Sequence, residues 1–148
     1  MGAGLAVAAR AEAIRIWGAG SFENEAAMAW AESLEDSDDL DLVEEALDEV
    51  LDMEDIGDVP PIGAAARAIA AAETVAALSH NPASSLPEEV RQWCFDNTNL
   101  DLVEAQPKAL QAVGVILLES GLRDVLDRET AEDWESEVED LRDRLRGA

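Results

Sequence analysis

The chain has 148 residues, the size of one ordinary domain, and 48 % of them are hydrophobic. Acidic residues outnumber basic ones by 34 to 10, which gives a formal net charge of −24 at pH 7. This charge argues against a surface that binds nucleic acid or an anionic membrane, since both need clustered Lys and Arg. The single cysteine excludes an internal disulfide framework, and no apolar run approaches the ~18 residues of a membrane span.

Residues 1–15 are predicted to be an N-terminal extension, and residues 16–148 a single helical domain. No positive residue precedes the apolar stretch at the N-terminus, and Arg10, Glu12 and Arg15 cut that stretch short. A secretory signal would have the opposite pattern. We interpret the extension as a tail that is partly disordered or not native, or as an extra helical turn, and expect a cytoplasmic protein.

Apolar residues recur at the spacing of helices that bury one face, in about six segments of the chain. No segment alternates apolar and polar residues as a half-buried strand would, and Ala is abundant. The sequence therefore predicts an all-α fold, a single-domain irregular bundle of about six helices. The core is predicted to contain Trp30, Val43, Leu47, Ile69, Trp93, Leu117, Trp134 and Leu141.

At three positions the sequence has a residue that is favoured at the N-terminus of a helix. Asn24 is a good N-cap for the first helix, expected over residues 25–35. Ser85 and Glu88 form a capping-box pattern before a short fourth helix. Thr130 is predicted to begin the last helix.

The first of these caps ends a glycine-rich segment, WGAGSFENE at residues 17–25, which we call the opening turn. Gly18 and Gly20 permit a positive φ or a close approach of the backbone. Phe22 and Trp17 are expected to pack onto the apolar stripe of the first helix, which contains Trp30. We interpret the opening turn as a structural turn and helix cap.

Two functional interpretations of the opening turn stay open beside the structural one. Glycine-rich turns before helices bind phosphates, although Glu23 and Glu25 would repel such an anion. The turn of residues 17–24 could also serve a partner, or belong with nearby carboxylates to a small-ligand site or an enzyme active site. A pocket converging on Trp17, Asn24 and Glu25 would support the ligand-binding or enzymatic alternative.

The opening turn also resembles the start of a known family. Chains of the bacterial domain-of-unknown-function 4259 family typically open with W-G-x-G-x-F-[DE]-N-[DE] and continue into an Ala-rich helix with an aromatic residue, here Trp30. The acidic segment DLVEEAL at residues 41–47 and the segments at 120–123 and 138–142 are similar to the rest of the family pattern. The resemblance covers residues 17–147 and implies an α-helical bacterial protein with no assigned function or catalytic residue.

The second helix, expected over residues 41–54, contains a row of carboxylates. Asp41, Glu45, Asp48 and Asp52, which we call the acidic row, recur at i, i+4, i+7 and i+11 opposite the apolar stripe. No basic residue lies between positions 16 and 66. Like charges at this spacing cost roughly 0.2–0.5 kcal/mol per pair. We expect a non-catalytic protein-binding module that engages a basic partner through the acidic row, with electrostatic steering speeding association.

Two other interpretations of the acidity stay open. The carboxylates can form a solvated face that keeps the protein soluble and monomeric. A monomer is the oligomeric state that we favour. They can also be an adaptation to a salt-rich cell, because salt screens their repulsion. The concentration of acids in the first half of the chain argues against salt adaptation, which would spread them over all faces.

No metal, cofactor or catalytic site is predicted. An EF-hand alignment starting at Asp36 places Leu40 and Leu47 at ligand positions, so it fails. Cys94 is expected to be a buried structural thiol, because neighbouring acids disfavour a thiolate. His80, the only histidine, lies at the expected end of the third helix, where we assign it a capping or surface role.

Overall fold

The computed structural model describes residues 14–147. Within this range the chain forms six helices of nine residues or more and one of five residues. They are α1 (Glu25–Leu34), α2 (Asp41–Asp55), α3 (Ile62–Leu78), α4 (Glu88–Asp96), α5 (Ala105–Leu118), α6 (Gly121–Val125) and α7 (Arg128–Arg146). The predicted all-α irregular bundle is confirmed. The predicted extension, residues 1–15, lies outside the described residues except for its last two positions.

The centre of the bundle is α3, against which every other described helix packs. Thirteen of its 17 residues are buried, and most of these are alanines, whose small side chains let neighbouring helices approach closely. The sequence predicted one apolar stripe on this helix, whereas the structure buries almost all of its faces, as expected for a helix that is apolar all round. In residues 14–147 no helix, α3 included, is both long and apolar enough to cross a membrane.

All eight predicted core residues are buried. Three of the four tryptophans, one each on α1, α4 and α7, therefore anchor their helices in the core. Trp93 also uses its polar edge, since its indole N–H donates to the carbonyl of Ser37 at 2.7 Å. This bond holds α4 against the loop that joins α1 to α2.

Lys108 joins α2 to α5. Its ammonium group lies 3.1 Å from carboxylate oxygens of both Glu44 and Asp48, and the hydrogen bonds that it donates to them raise the pKa of Lys108 above its ordinary value. Since Lys108 is in the first turn of α5 and its partners are in the first half of α2, the two helices run in the same direction. Glu54 and Leu118, which lie near the C-terminal ends of α2 and α5, line one cavity, as expected for two helices that run in the same direction.

Two of the predicted helix starts are wrong. No side chain caps α4, because the N-cap position is taken by Pro87 and Ser85 lies too early in the chain. The last helix begins with Asp127 as its N-cap, three residues before Thr130. The carboxylate of Asp127 accepts a hydrogen bond of 2.8 Å from the Thr130 amide, which lowers the pKa of Asp127. An acid at this position also complements the positive end of the helix dipole.

The C-terminal ends of α2 and α3 have the same kind of capping turn, in which amides that follow the helix donate hydrogen bonds to carbonyls of its last turn. In α2 the residue with positive φ is Gly57 (78°), whose amide donates to Glu54 at 3.0 Å. In α3 the equivalent residue is His80 (70°), whose amide donates to Ala77 at 3.0 Å. His80 is exposed, so its contribution to the cap is made by its backbone in a conformation that residues with a Cβ rarely adopt.

We expect His80→Gly to raise the free energy of unfolding by about 0.5–1 kcal/mol, because glycine adopts this φ without steric strain. The matched change Gly57→Ala should lower it by a similar amount. Urea denaturation followed by circular dichroism measures both. A loss of stability in His80→Gly would show that the histidine side chain stabilises the cap.

Candidate functional site

The opening turn is a closed loop of hydrogen bonds. Ile16 and Asn24 pair as an isolated antiparallel bridge, and the Trp17 amide donates to the Glu23 carbonyl at 2.9 Å. Asn24 is buried, and its side-chain oxygen accepts the Ala27 amide at 2.8 Å. The predicted N-cap of α1 is therefore confirmed.

The glycines of the opening turn make room for the side chain of Glu23. A Cβ on Gly18 would lie 2.5 Å from Glu23 Oε1, and a Cβ on Gly20 would lie 2.7 Å from it. Neither glycine has a positive φ, and a Cβ at either position would displace the end of the Glu23 side chain. The same carboxylate oxygen accepts the Gly20 amide at 2.8 Å. A donor that a phosphate would need is thus already taken by a negative group of the chain itself, which counts against an anion site.

The prediction that Trp17 packs onto α1 is wrong, because 56 % of this residue is exposed, whereas Phe22 is buried as expected. Successive side chains of extended backbone point to opposite sides. Since Ile16 packs against the core, Trp17 faces outward. Trp17 and Gly18 line a cavity of about 260 Å³ beside α6, but Asn24 and Glu25 are not among its lining residues. The opening turn therefore does not form the converging pocket that the ligand-binding or enzymatic alternative requires.

Behind the opening turn lies a buried ion pair. Glu73 of α3 receives two hydrogen bonds from the Arg144 guanidinium of α7, at 3.0 and 3.2 Å, and a third from the Ser21 hydroxyl at 2.7 Å. Only 2 % of the Glu73 side chain and 15 % of the Arg144 side chain are exposed. Burial opposes the charge on Arg144, but its hydrogen bonds to Glu73 and Asp140 outweigh burial and raise the pKa of Arg144. The Glu73 carboxylate thus joins α3, α7 and the opening turn.

Sequence reasoning missed this ion pair, although the sequence contains a signal for it. Glu73 is the only acidic residue in the alanine-rich segment that forms α3. A carboxylate on a helix that is otherwise apolar on all sides is buried, and a buried charge must find a partner of opposite sign. What the sequence does not indicate is which arginine supplies that partner.

We expect Arg144→Met to lower the free energy of unfolding by about 3–5 kcal/mol, because it leaves the Glu73 carboxylate buried without a counter-charge. Arg128→Met is the matched control, since that arginine is 96 % exposed and its ion pair spans 4.0 Å. Urea denaturation compares the two variants. The double variant Glu73→Gln/Arg144→Met should recover part of the loss, and an equal effect of Arg144→Met and Arg128→Met would contradict the assignment.

The acidic row is only partly free of counter-charges. Asp41, Glu45 and Asp52 are exposed, whereas Asp48 is bound by Lys108. Beside the row, Arg67 of α3 lies 3.0 Å from the Glu49 carboxylate. The absence of basic residues between positions 16 and 66 therefore does not leave α2 uncompensated, because α3 and α5 bring bases to it.

A cavity of about 460 Å³ lies along the acidic row. Its walls include Glu45, Asp48 and Asp52 of the row. Its remaining lining residues are Trp30, Leu42, Ala46, Glu49 and Arg67. The cavity thus combines an acidic wall with apolar surface. The indole N–H of Trp30 is buried and has no acceptor among residues 14–147.

Cys94 is buried, as predicted. Burial raises the pKa of Cys94 to about 12, although the charge of Arg91 opposes that rise. The thiolate that a nucleophile or a metal ligand requires is thus strongly disfavoured at neutral pH. Within residues 14–147, no group of three or more His, Cys, Asp or Glu side chains has an arrangement that would hold a metal ion.

We expect iodoacetamide to leave Cys94 unmodified in the folded protein and to modify it rapidly in urea, where the thiol is solvated. Mass spectrometry of the intact chain over time measures this difference. Fast modification at neutral pH without denaturant would contradict the assignment of Cys94 as an inert core thiol.

The family model described as Domain of unknown function (DUF4259) matches residues 16–143. The match begins at Ile16, whose pairing with Asn24 closes the opening turn, and it ends within α7. The chain belongs to this family. No curated protein and no solved structure matches the chain.

Proposed function

We propose that this member of the DUF4259 family is a non-catalytic binding module that engages a basic protein through the acidic row of α2. The observation that carries the proposal is the cavity of about 460 Å³ along that row, which has carboxylates on one wall and the apolar surface of Trp30, Leu42 and Ala46 beside them. A solvated acidic face that serves only solubility has no need of such a concave surface.

The chemistry of the cavity suits a lysine or arginine side chain of the partner. Such a side chain has an apolar stem and a charged head, and it buries the stem on apolar surface while the head keeps polar contacts. Leu42 and Ala46 would contact the stem, and Glu45 and Asp52 would contact the head. Arg67 already lies in this cavity on the carboxylate of Glu49, so the structure contains an arginine in a similar setting.

The charge of the whole chain favours association with a basic protein. With a formal net charge of −24, the protein attracts cationic partners over the distance that salt leaves unscreened, about 8 Å at physiological ionic strength. The exposed carboxylates Asp41, Glu45 and Asp52 are expected to set the association rate and its dependence on salt.

The proposal is tested by a triple reversal of Asp41, Glu45 and Asp52 to Lys. The matched control reverses Glu129, Asp133 and Glu139 of α7, which are also exposed, so both variants have the same net charge. Asp48 is left unchanged because it holds Lys108. Each protein is immobilised and exposed to a lysate of the source cell at low salt, and bound proteins are eluted with rising salt and identified. Binding is then measured with the purified partner.

We expect one dominant basic protein that binds the wild type and the α7 control equally and the α2 variant at least about tenfold more weakly. Equal capture by both variants, or a mixture of abundant basic proteins, would overturn the proposal and favour a role of the acids in solubility. Circular dichroism at low and molar salt checks the remaining alternative, because a salt-adapted protein would need molar salt to fold.

A further inference from the structure

A second cavity, of about 370 Å³, lies between the end of α3 and the helix α4, away from the acidic row. Most of its wall is apolar. The apolar lining residues are Ala77, Leu78, Pro82, Leu86, Cys94 and Phe95. None of its nine lining residues is acidic, in contrast with the cavity along α2. In a chain with 34 acidic residues, an acid-free cavity is a distinct chemical environment.

The charged side chain of this cavity belongs to Arg91. Arg91 is exposed, and it makes no ion pair and no side-chain hydrogen bond with any residue between 14 and 147. Within the same range Arg67, Arg123 and Arg144 are paired, whereas Arg142 of α7 also makes no ion pair. Arg91 lines the cavity together with the buried Cys94, and its positive charge partly offsets the rise that burial causes in the pKa of that thiol. A guanidinium beside an apolar cavity and without a carboxylate partner is a binding element for an anionic group.

The mouth of the cavity exposes surface that a bound molecule would cover. Phe95 is 74 % exposed although it is a large apolar residue. Thr98 and His80 supply polar groups at the same place. The wall belongs to regular structure, since the backbone of His80 is hydrogen-bonded in the capping turn of α3 and Cys94 is buried on α4. A preformed, mostly apolar cavity with few polar groups is the usual form of a small-molecule site, and its volume lies in the usual range of about 300–1,000 Å³.

We propose that this cavity binds a small carboxylic acid with an apolar body. The carboxylate pairs with Arg91, and the apolar body contacts Leu78, Leu86 and the Cys94 side chain and covers Phe95. The complementary charge of Arg91 selects an anion over an amine of the same shape, and the apolar wall selects against a short, fully hydrated anion. This site is separate from the acidic row, so it does not depend on the proposed binding of a basic protein.

The experiment uses octanoate as the probe, with octanol and octylamine as molecules of the same chain length and different charge. Isothermal titration calorimetry gives the affinities, and backbone amide shifts of Leu78, Phe95 and Thr98 show where each probe binds. Arg91→Gln removes the charge, and Arg128→Gln is the matched control on an exposed arginine of α7. Ala77→Leu fills the cavity from the half-buried end of α3.

We expect octanoate to bind the wild type and Arg128→Gln at least about tenfold more tightly than octanol. Octylamine should shift the amides of Leu78, Phe95 and Thr98 least, whether or not it binds along the acidic row. In Arg91→Gln the affinities for octanoate and octanol should become equal. In Ala77→Leu, with its helix content confirmed by circular dichroism, binding of both should be lost. Equal affinities for octanoate and octanol in the wild type, an unchanged affinity in Arg91→Gln, shifts confined to other residues, or no binding at all would each overturn the proposal.

Discussion

The carboxylate of Glu73 is the constraint on which much of the fold depends. It lies within α3, the helix that packs against every other described helix, and it is almost completely buried. A charge in that position needs donors from more than one direction, and it receives them from Arg144 of α7 and Ser21 of the opening turn. The buried pair is not a strong source of net stability, but once Glu73 is present, its partners must lie where they do. The opening turn and the last helix are thereby positioned relative to the same point.

The parts of the structure that follow from local pattern could be predicted from the sequence. The apolar stripes identified the helices and the whole predicted core, and Asn24 was identifiable as a cap because it acts on an amide three residues away. The buried ion pair could not be predicted in the same way, since Glu73 and Arg144 are 71 residues apart in sequence. Trp17 was misjudged for a related reason, because its outward direction follows from the pairing of its neighbour Ile16 with Asn24. For the candidate sites, the sequence showed the acidic row but not the cavities.

The protein presents two surfaces of opposite chemistry. Along α2, exposed carboxylates border a cavity with apolar surface. Between α3 and α4, a mostly apolar cavity without acidic lining residues has on its wall Arg91, which pairs with no carboxylate among residues 14–147. The net charge of −24 agrees with the acidic surface along α2 but gives no indication of the acid-free cavity between α3 and α4. In the opening turn, which contains the most distinctive sequence motif, Glu23 binds the Gly20 amide and Asn24 caps α1, so both residues have a structural role.

The bridge between α2 and α5 depends on Lys108, the only lysine in the sequence. Acylating reagents react with the neutral amine, and the bonds to Glu44 and Asp48 keep this amine protonated. Separation of α2 from α5 would release the amine and speed its acylation. Since the sequence has no second lysine, side-chain acylation has one site, and its rate rises whenever the ammonium group leaves the two carboxylates. The protein thus has, on its one lysine side chain, a chemical probe of the contact between α2 and α5, with no need for an introduced label.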